Sequence, residues 1–268
     1  MEAACLRERI EHHMESIPTL ESSRMRLFLT LQEESSTIET IEQVVSSDPA
    51  MAAKVVRLAN SSFYRHTERH VGIQQALLTI GLDMVKCIAL SMAVMESFGS
   101  DAILMKSLWR HSYTVGLVAS LLGSSRFEKE CLFTGGLLHD LGRMVLLCKA
   151  PEEYISLYER QGHWPDPALE QEALGLDHGC IGEMVAERWH FPPEVVRIIR
   201  RHHEPMDRLS ALIYLTDQTV SRKEQGREPE TFEHEDLLRR HLGEEYKELV
   251  NTVQHRYTTN SAIVENLG

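Results

Sequence analysis

The chain has 268 residues, 43% of them hydrophobic and 25% charged, with 15 glycines and 9 prolines. That composition excludes collagen-like and linker-rich classes, and the length is enough to bury a core without a disulfide or metal staple. Lys and Arg total 28 against 40 Asp and Glu, a formal charge of −12, which argues against a broad phosphate-tracking surface of the kind nucleic-acid binders use.

Helical periodicity dominates from the N-terminus onward, and no run of period-2 alternation competes with it. Glu2–Ser16 reads as an amphipathic helix that stops before Pro18. It has no continuous apolar core and no cleavage site, so no signal peptide is expected. Asp48-Pro49 is a helix start, with Asp as cap and Pro at the first helical position. The helix then runs to about Asn60-Ser61. Gly72–Ile80 and Leu82–Phe98 form two further helices hinged at Gly81. The apolar stretch Met84–Met95 is broken by Lys86 and is too short to span a bilayer. Gly81 invites a helix-turn-helix reading, but Lys and Arg are scarce there, so DNA binding is not expected.

Ser97–Asp101 is polar and carries Gly99, and it marks a boundary. Beyond it, Leu104, Leu108, His111, Val115, Val118 and Leu122 follow one helical stripe. Cys131–Cys148 is apolar nearly all round and is expected to be a helix buried at the centre. Gln161–Pro167 is a loop. Helices follow at about His178–Trp189, Pro193–His203 and Met206–Val220. Ser221–Glu235 is charged, with Gly226 and Pro229, and reads as a flexible link to one or two C-terminal helices. The expected plan is all-α: a helical half at 1–98, a second at 99–220, and a linker with a helical tail at 221–268. The cysteines, Cys5, Cys87, Cys131, Cys148 and Cys180, are odd in number and scattered, with no CxxC pair. No disulfide framework or thiolate zinc site is expected, and a reducing cytosol is the simplest home.

Certain polar residues sit on these apolar stripes. His111 is on the first. His139-Asp140 lie inside GGLLHDLGRMVLL, His178 shares a face with Gly182, Val185 and Trp189, His202-His203 end a helix with an apolar ridge, and Asp217 shares a face with Ile213 and Val220. Taken singly, each has a plainer account: a core histidine bonded to backbone, or a carboxylate on an exposed face. Together they are seven residues on five apolar faces. Buried carboxylates need a partner, and imidazole with carboxylate suits iron, manganese, zinc or nickel. Five histidines and two aspartates are enough for one or two divalent transition metal ions, with one Asp bridging.

The order His111, His139-Asp140, His178, His202-His203, Asp217 resembles the ligand series of the HD superfamily of metal-dependent phosphohydrolases. The HDOD branch is the nearer likeness. It is carried by IPTL (Ile17–Leu20), SSDPAMAAKVVRLANSSFY (Ser46–Tyr64) and IQQALLTIGLDMVKCIALSMAV (Ile73–Val94) in the first half. In the second half it is carried by WRHSYTVG, GGLLHDLGRMVL, LDHGCIGEMVAERWHFP and RRHHEP. The resemblance spans roughly residues 5–220. It implies an all-α fold, an HD-like second half and a bacterial, cytoplasmic signalling role without established enzymatic activity. Many HDOD proteins have lost the ligands, and this sequence keeps them. The ligand set is similar to that of the HD-GYP phosphodiesterases, which hydrolyse cyclic di-GMP. The GYP signature is absent, replaced by MDRLSALIYLTD, and the family's lysine after the HD aspartate is Arg143 here.

Two functions are expected from this. The first is a signal-transduction module that acts by binding a nucleotide ligand or a signalling protein, with no DNA or membrane partner. Its functional surface then lies in the first half, around Leu58–Phe63. The alternative is a metal-dependent phosphohydrolase or phosphodiesterase. There Asp140 bridges two ions, His111, His139 and Asp217 surround one, His178, His202 and His203 surround the other, and Arg143 steadies a phosphate oxygen. A di-iron redox site is a third possibility.

Overall fold

The structure is a computed structural model that describes residues 37–60, 72–81, 85, 88–89, 92, 103–227 and 232–265. The helix expected at Glu2–Ser16, the segment Ile17–Leu20, most of Leu82–Phe98 and the residues beyond Asn60 in Leu58–Phe63 lie outside these. Among the described residues every regular element is helical and there is no strand, as the periodicity requires. The helices fall into two compact units.

One unit contains α1 (Ile38–Ser47), α2 (Pro49–Ala59) and α3 (Ile73–Ile80), packed on one another. Asp48 does what an Asp-Pro start predicts: its Oδ1 accepts the Met51 N–H at 3.2 Å. Ile41 and Val45, Met51, Val55 and Ala59, and Ala76, Leu77 and Ile80 are the buried stripes of the three helices. Gly81 ends α3 at φ +82, where the hinge was expected, and Val85, Ile88, Ala89 and Met92 beyond it are helical and buried. α1 was not foreseen. It is opened by Thr37, whose side chain accepts the Thr40 N–H.

The other unit is built from α4 (Ile103–Ser120), α5 (Arg126–Leu138), α6 (Leu141–Lys149), α7 (Pro151–Gln161), α8 (Pro167–Leu174), α9 (His178–Arg188), α10 (Pro193–Arg201), α11 (Arg208–Glu224) and α12 (Glu235–Leu242). A 3-10 turn, Gly243–Glu245, leads into α13 (Tyr246–Glu265), of which this unit includes the part up to Arg256. α4 runs along α5, and their backbones meet at Gly116 and Gly136. A Cβ on Gly136 would stand 2.6 Å from the Gly116 Cα, so any larger residue there separates the helices. α11 packs on both, α9 on α6 and α10, and α10 on α5.

The buried centre is where the sequence put it, but it is not one helix. α5 ends at Leu138 and α6 starts at Leu141, with Asp140 at φ −96, ψ 17 between them. The 24-residue stretch Arg126–Lys149 is long and apolar enough to cross a membrane, yet its most apolar window is 89% buried inside the protein, as a core element is. A second difference is at α11, which continues four residues past the expected end at Val220. Ser221–Glu224 therefore form its last turn rather than the start of a flexible link. Ser221 Oγ donates to Asp217 Oδ1 at 3.2 Å, and Glu224 accepts from His111, which gives that turn inward partners. α7 and α8 flank the loop read at Gln161–Pro167. Both are additions to the elements expected from sequence.

Candidate metal centre

Five places in the second unit deliver the polar residues. His111 lies in the middle of α4, and His139-Asp140 occupy the break between α5 and α6. His178 is the first residue of α9, whose N-cap Asp177 accepts the Cys180 N–H at 2.7 Å. His202 and His203 follow the last turn of α10, and Asp217 lies in α11. The approach of α9 to α6 depends on Gly142. A Cβ there would lie 1.9 Å from the His178 carbonyl oxygen, so no other residue fits.

The structure brings all seven residues together in one cluster, six of them buried and His203 half-buried. Asp140 stands between two groups. Its Oδ2 is 3.6 Å from His139 Nε2, and its Oδ1 is 3.5 Å from His178 Nε2 and 3.8 Å from His202 Nε2. On the first side, His139 Nε2 is 3.7 Å from Asp217 Oδ1, which lies 2.9 Å from His111 Nε2. On the second, His178 Nε2 is 3.1 Å from His202 Nε2 and 2.9 Å from His203 Nε2.

The outer nitrogens explain why the inner ones point inward. His139 Nδ1 donates to the Gly136 carbonyl at 2.6 Å, and His202 Nδ1 donates to the Ile199 carbonyl at 2.8 Å. His178 Nδ1 donates to Glu170 Oε2 at 2.5 Å, and His111 Nδ1 to Glu224 Oε2 at 3.0 Å. A hydrogen bond from one ring nitrogen fixes the tautomer that leaves the other free as a metal donor.

This donor set fits a transition metal ion. His139 Nε2 is buried and, among the described residues, has no hydrogen-bond partner, a state that ordinarily costs about 1–3 kcal/mol. Three imidazole Nε2 atoms facing one another crowd their lone pairs unless a cation joins them. Donors sharing an ion at ~2.0–2.2 Å stand roughly 3.0–3.5 Å apart, close to the spacing seen here. Two groups could each hold an ion: His178, His202 and His203, and His111, His139 and Asp140.

Charge is distributed to match. Burial holds His139 and His202 below the usual histidine range, and burial with the charges of His178 and Arg143 takes His203 down to about 3. These imidazoles are neutral at pH 7, the ligand form. Burial alone would raise Asp140 and Asp217. Arg143 and then His139 hold Asp140 well below the ordinary range, and the His111 hydrogen bond takes Asp217 to about 2. His111 is the exception. Burial opposes its charge, but the hydrogen bonds it donates to Asp217 and Glu224 outweigh that and raise it to about 10. Ligation by its Nε2 therefore releases a proton.

Arg143 is not placed as the sequence suggested. It is 4% exposed, and two of its nitrogens bond to the protein: Nε to Asp140 Oδ1 at 2.7 Å, and Nη1 to Tyr154 Oη, the Pro165 carbonyl and Glu170 Oε1 at 3.0, 2.8 and 3.2 Å. Trp164 lies beneath the guanidinium at 5.9 Å. A guanidinium so engaged orients Asp140, and its Nε and Nη1 groups are committed to the protein rather than to a phosphate oxygen. Sequence reasoning also missed Glu170, Tyr154 and Glu224. Glu170 is fully buried. Burial raises its pKa, but His178 and Arg143 outweigh it and keep the carboxylate ionised. The one signal for it was its spacing four residues before the buried Leu174.

Comparison with known proteins agrees with the helical fold. The profile of the HDOD domain matches residues 17–205. A protein of Treponema pallidum (strain Nichols) described only as uncharacterized is 27% identical over 206 residues, 75% of this chain and 39% of its own length. The chain thus spans about two fifths of that curated relative. In fold it is similar to a protein of Shewanella amazonensis SB2B provisionally named a phosphohydrolase, with a TM-score of 0.76, 20% identity and 97% and 98% of the two chains covered. It is similar also to an HDOD domain protein of unknown function from Geobacter sulfurreducens, with a TM-score of 0.71, 20% identity and 98% and 96% covered. The chain belongs to the HDOD domain family.

Proposed function

We propose that the chain is a signal-transduction HDOD module that keeps an HD-type centre of one or two divalent transition metal ions and acts by binding a nucleotide ligand or a signalling protein. The observation that carries the binding reading is the state of Arg143. The cation expected to meet a substrate phosphate is 4% exposed and is bonded through Nε and Nη1 to Asp140, Tyr154, Pro165 and Glu170. His111, His139, Asp140, His178, His202, His203 and Asp217 hold the metal, and Asp140 lies between the two groups.

A phosphohydrolase is the second reading, and the half-buried His203 favours it, because that edge of the centre is reachable from outside. A bound ion would supply Lewis-acid polarisation and a hydroxide at neutral pH. The residues of the chain would orient the carboxylate and exclude water around it. The test is hydrolysis by manganese-loaded protein of cyclic dinucleotides and generic phosphodiesters. The binding reading predicts no turnover above background. Metal-dependent turnover that disappears in Asp140→Asn would establish the second reading instead.

A further inference from the structure

His139 and His202 are anchored by carbonyls three residues earlier, Gly136 and Ile199, which belong to the helices they end. Such an acceptor comes with the helix. His178 has none, because it is the first residue of α9 and no helical turn precedes it. It also carries one of the backbone N–H groups that a helix N-terminus leaves without an internal partner. Both needs are met from α8. Glu170 Oε2 accepts the His178 backbone N–H at 2.7 Å and its Nδ1–H at 2.5 Å. Glu170 Oε1 accepts the Tyr154 hydroxyl at 2.7 Å and Arg143 Nη1–H at 3.2 Å. Each carboxylate oxygen takes two donors, and all the groups involved are buried.

These contacts close a ring. Arg143 joins Glu170 to Asp140, Glu170 joins Arg143 to His178, and His178 Nε2 returns to within 3.5 Å of Asp140 Oδ1. We propose that Glu170 is a positioning residue for the subsite made by His178, His202 and His203: it sets the tautomer and direction of the His178 ring and, through Arg143, ties that ring to Asp140. The inference rests on the metal-centre reading above and adds to it a residue outside the ligand series. The substitution Glu170→Gln is a sharp probe. A glutamine has one oxygen and one NH2 in place of two acceptors, so in either orientation two of the four donors meet another donor.

The experiment is a cobalt(II) titration of the whole chain, followed by the visible d–d bands, with histidine-selective 15N NMR on the metal-free protein. In wild type, two cobalt ions bind and the His178 signals are those of an Nδ1–H ring. In Glu170→Gln, cobalt affinity at the His178 subsite falls by about 10–100-fold, as loss of a second hydrogen-bonded shell does. The subsite with His111 and His139 keeps its ion, and the His178 signals move toward mixed tautomers. Tyr154→Phe removes a different Glu170 partner without touching His178. It is expected to keep both cobalt ions and the tautomer even where it lowers thermal stability. Wild-type binding of cobalt together with equal binding and an unchanged His178 tautomer in Glu170→Gln overturns the inference alone. Tyr154→Phe losing cobalt as Glu170→Gln does also overturns it, because the effect is then general loosening. Failure of the wild type to take up cobalt overturns the metal-centre reading as well.

Discussion

Asp140 faces Arg143 and both histidine groups at once, with Arg143 Nε at 2.7 Å. Its charge offsets the guanidinium in the metal-free protein and would offset bound cations in the loaded one. Asp140→Asn is therefore expected to empty both groups of metal. Arg143→Ala leaves the carboxylate buried without its counterion, and breaking a buried pair from one side costs about 3–5 kcal/mol. Urea unfolding of the metal-free variant checks this. Unchanged stability in Arg143→Ala would mean that the guanidinium is not the structural clamp described. At this scale the seven cluster residues were legible because polar groups on apolar stripes stand out. The partners of Arg143 were not. Tyr154, Pro165 and Glu170 come from 11, 22 and 27 residues further along. Glu170 and Glu172 look alike in PALEQEALG, and only packing buries the first and exposes the second.

The elements do more than carry the ligands. A continuous helix through His139 and Asp140 would point these two neighbours about 100° apart. With the break between α5 and α6, His139 lies in the first group and Asp140 between the two. Periodicity could not reveal it, since the apolar pattern runs through without interruption. The contact of α6 with α9 gives a direct prediction. Gly142→Ala would drive a methyl into the His178 carbonyl at 1.9 Å. The helices must separate, at about 1–3 kcal/mol for overpacking, and His178 moves with α9. Thermal melts and metal content should fall together. Asp177→Ala removes the α9 cap together with the Arg200 ion pair at 3.4 Å, and the loss of the cap alone is expected to cost about 1 kcal/mol. The longer α11 was hidden by its charged last turn, SRKE, which reads as solvent-facing until His111 is seen to reach Glu224.

On the scale of the whole molecule the buried histidines set how stability follows pH. His139, His202 and His203 are neutral in the folded protein at pH values where the unfolded chain is already binding protons. Their contribution is complete above about pH 6.5 and is lost as pH falls, for His203 down to about 3. His111 has the opposite sign. Its contribution is complete below about pH 6.5 and is lost as pH rises through about 10. Melting of the metal-free protein should therefore be highest near pH 6.5, decline on acidification as His139, His202 and His203 resist protonation, and decline on the alkaline side as His111 resists losing its proton. A melting temperature that climbs steadily from pH 6.5 to 4.5 would contradict the placement of these rings. A metal at 100 times its Kd adds about 2.7 kcal/mol, or roughly 5–10 °C for a unit of this size.

The helical class was legible at this scale because a 3.6-residue period is a property of each segment alone. Which turns of α4, α6, α9, α10 and α11 meet is not, and that meeting makes the centre. Its most direct test is metal analysis after equilibrium dialysis of purified wild-type protein against manganese, iron, nickel or zinc in turn, with Asp140→Asn alongside. One to two ions retained per chain by the wild type with at least one of these metals, and loss of both in a folded Asp140→Asn, is the predicted result. A folded wild-type protein that retains none of the four, and melts at the same temperature with and without them, would contradict it.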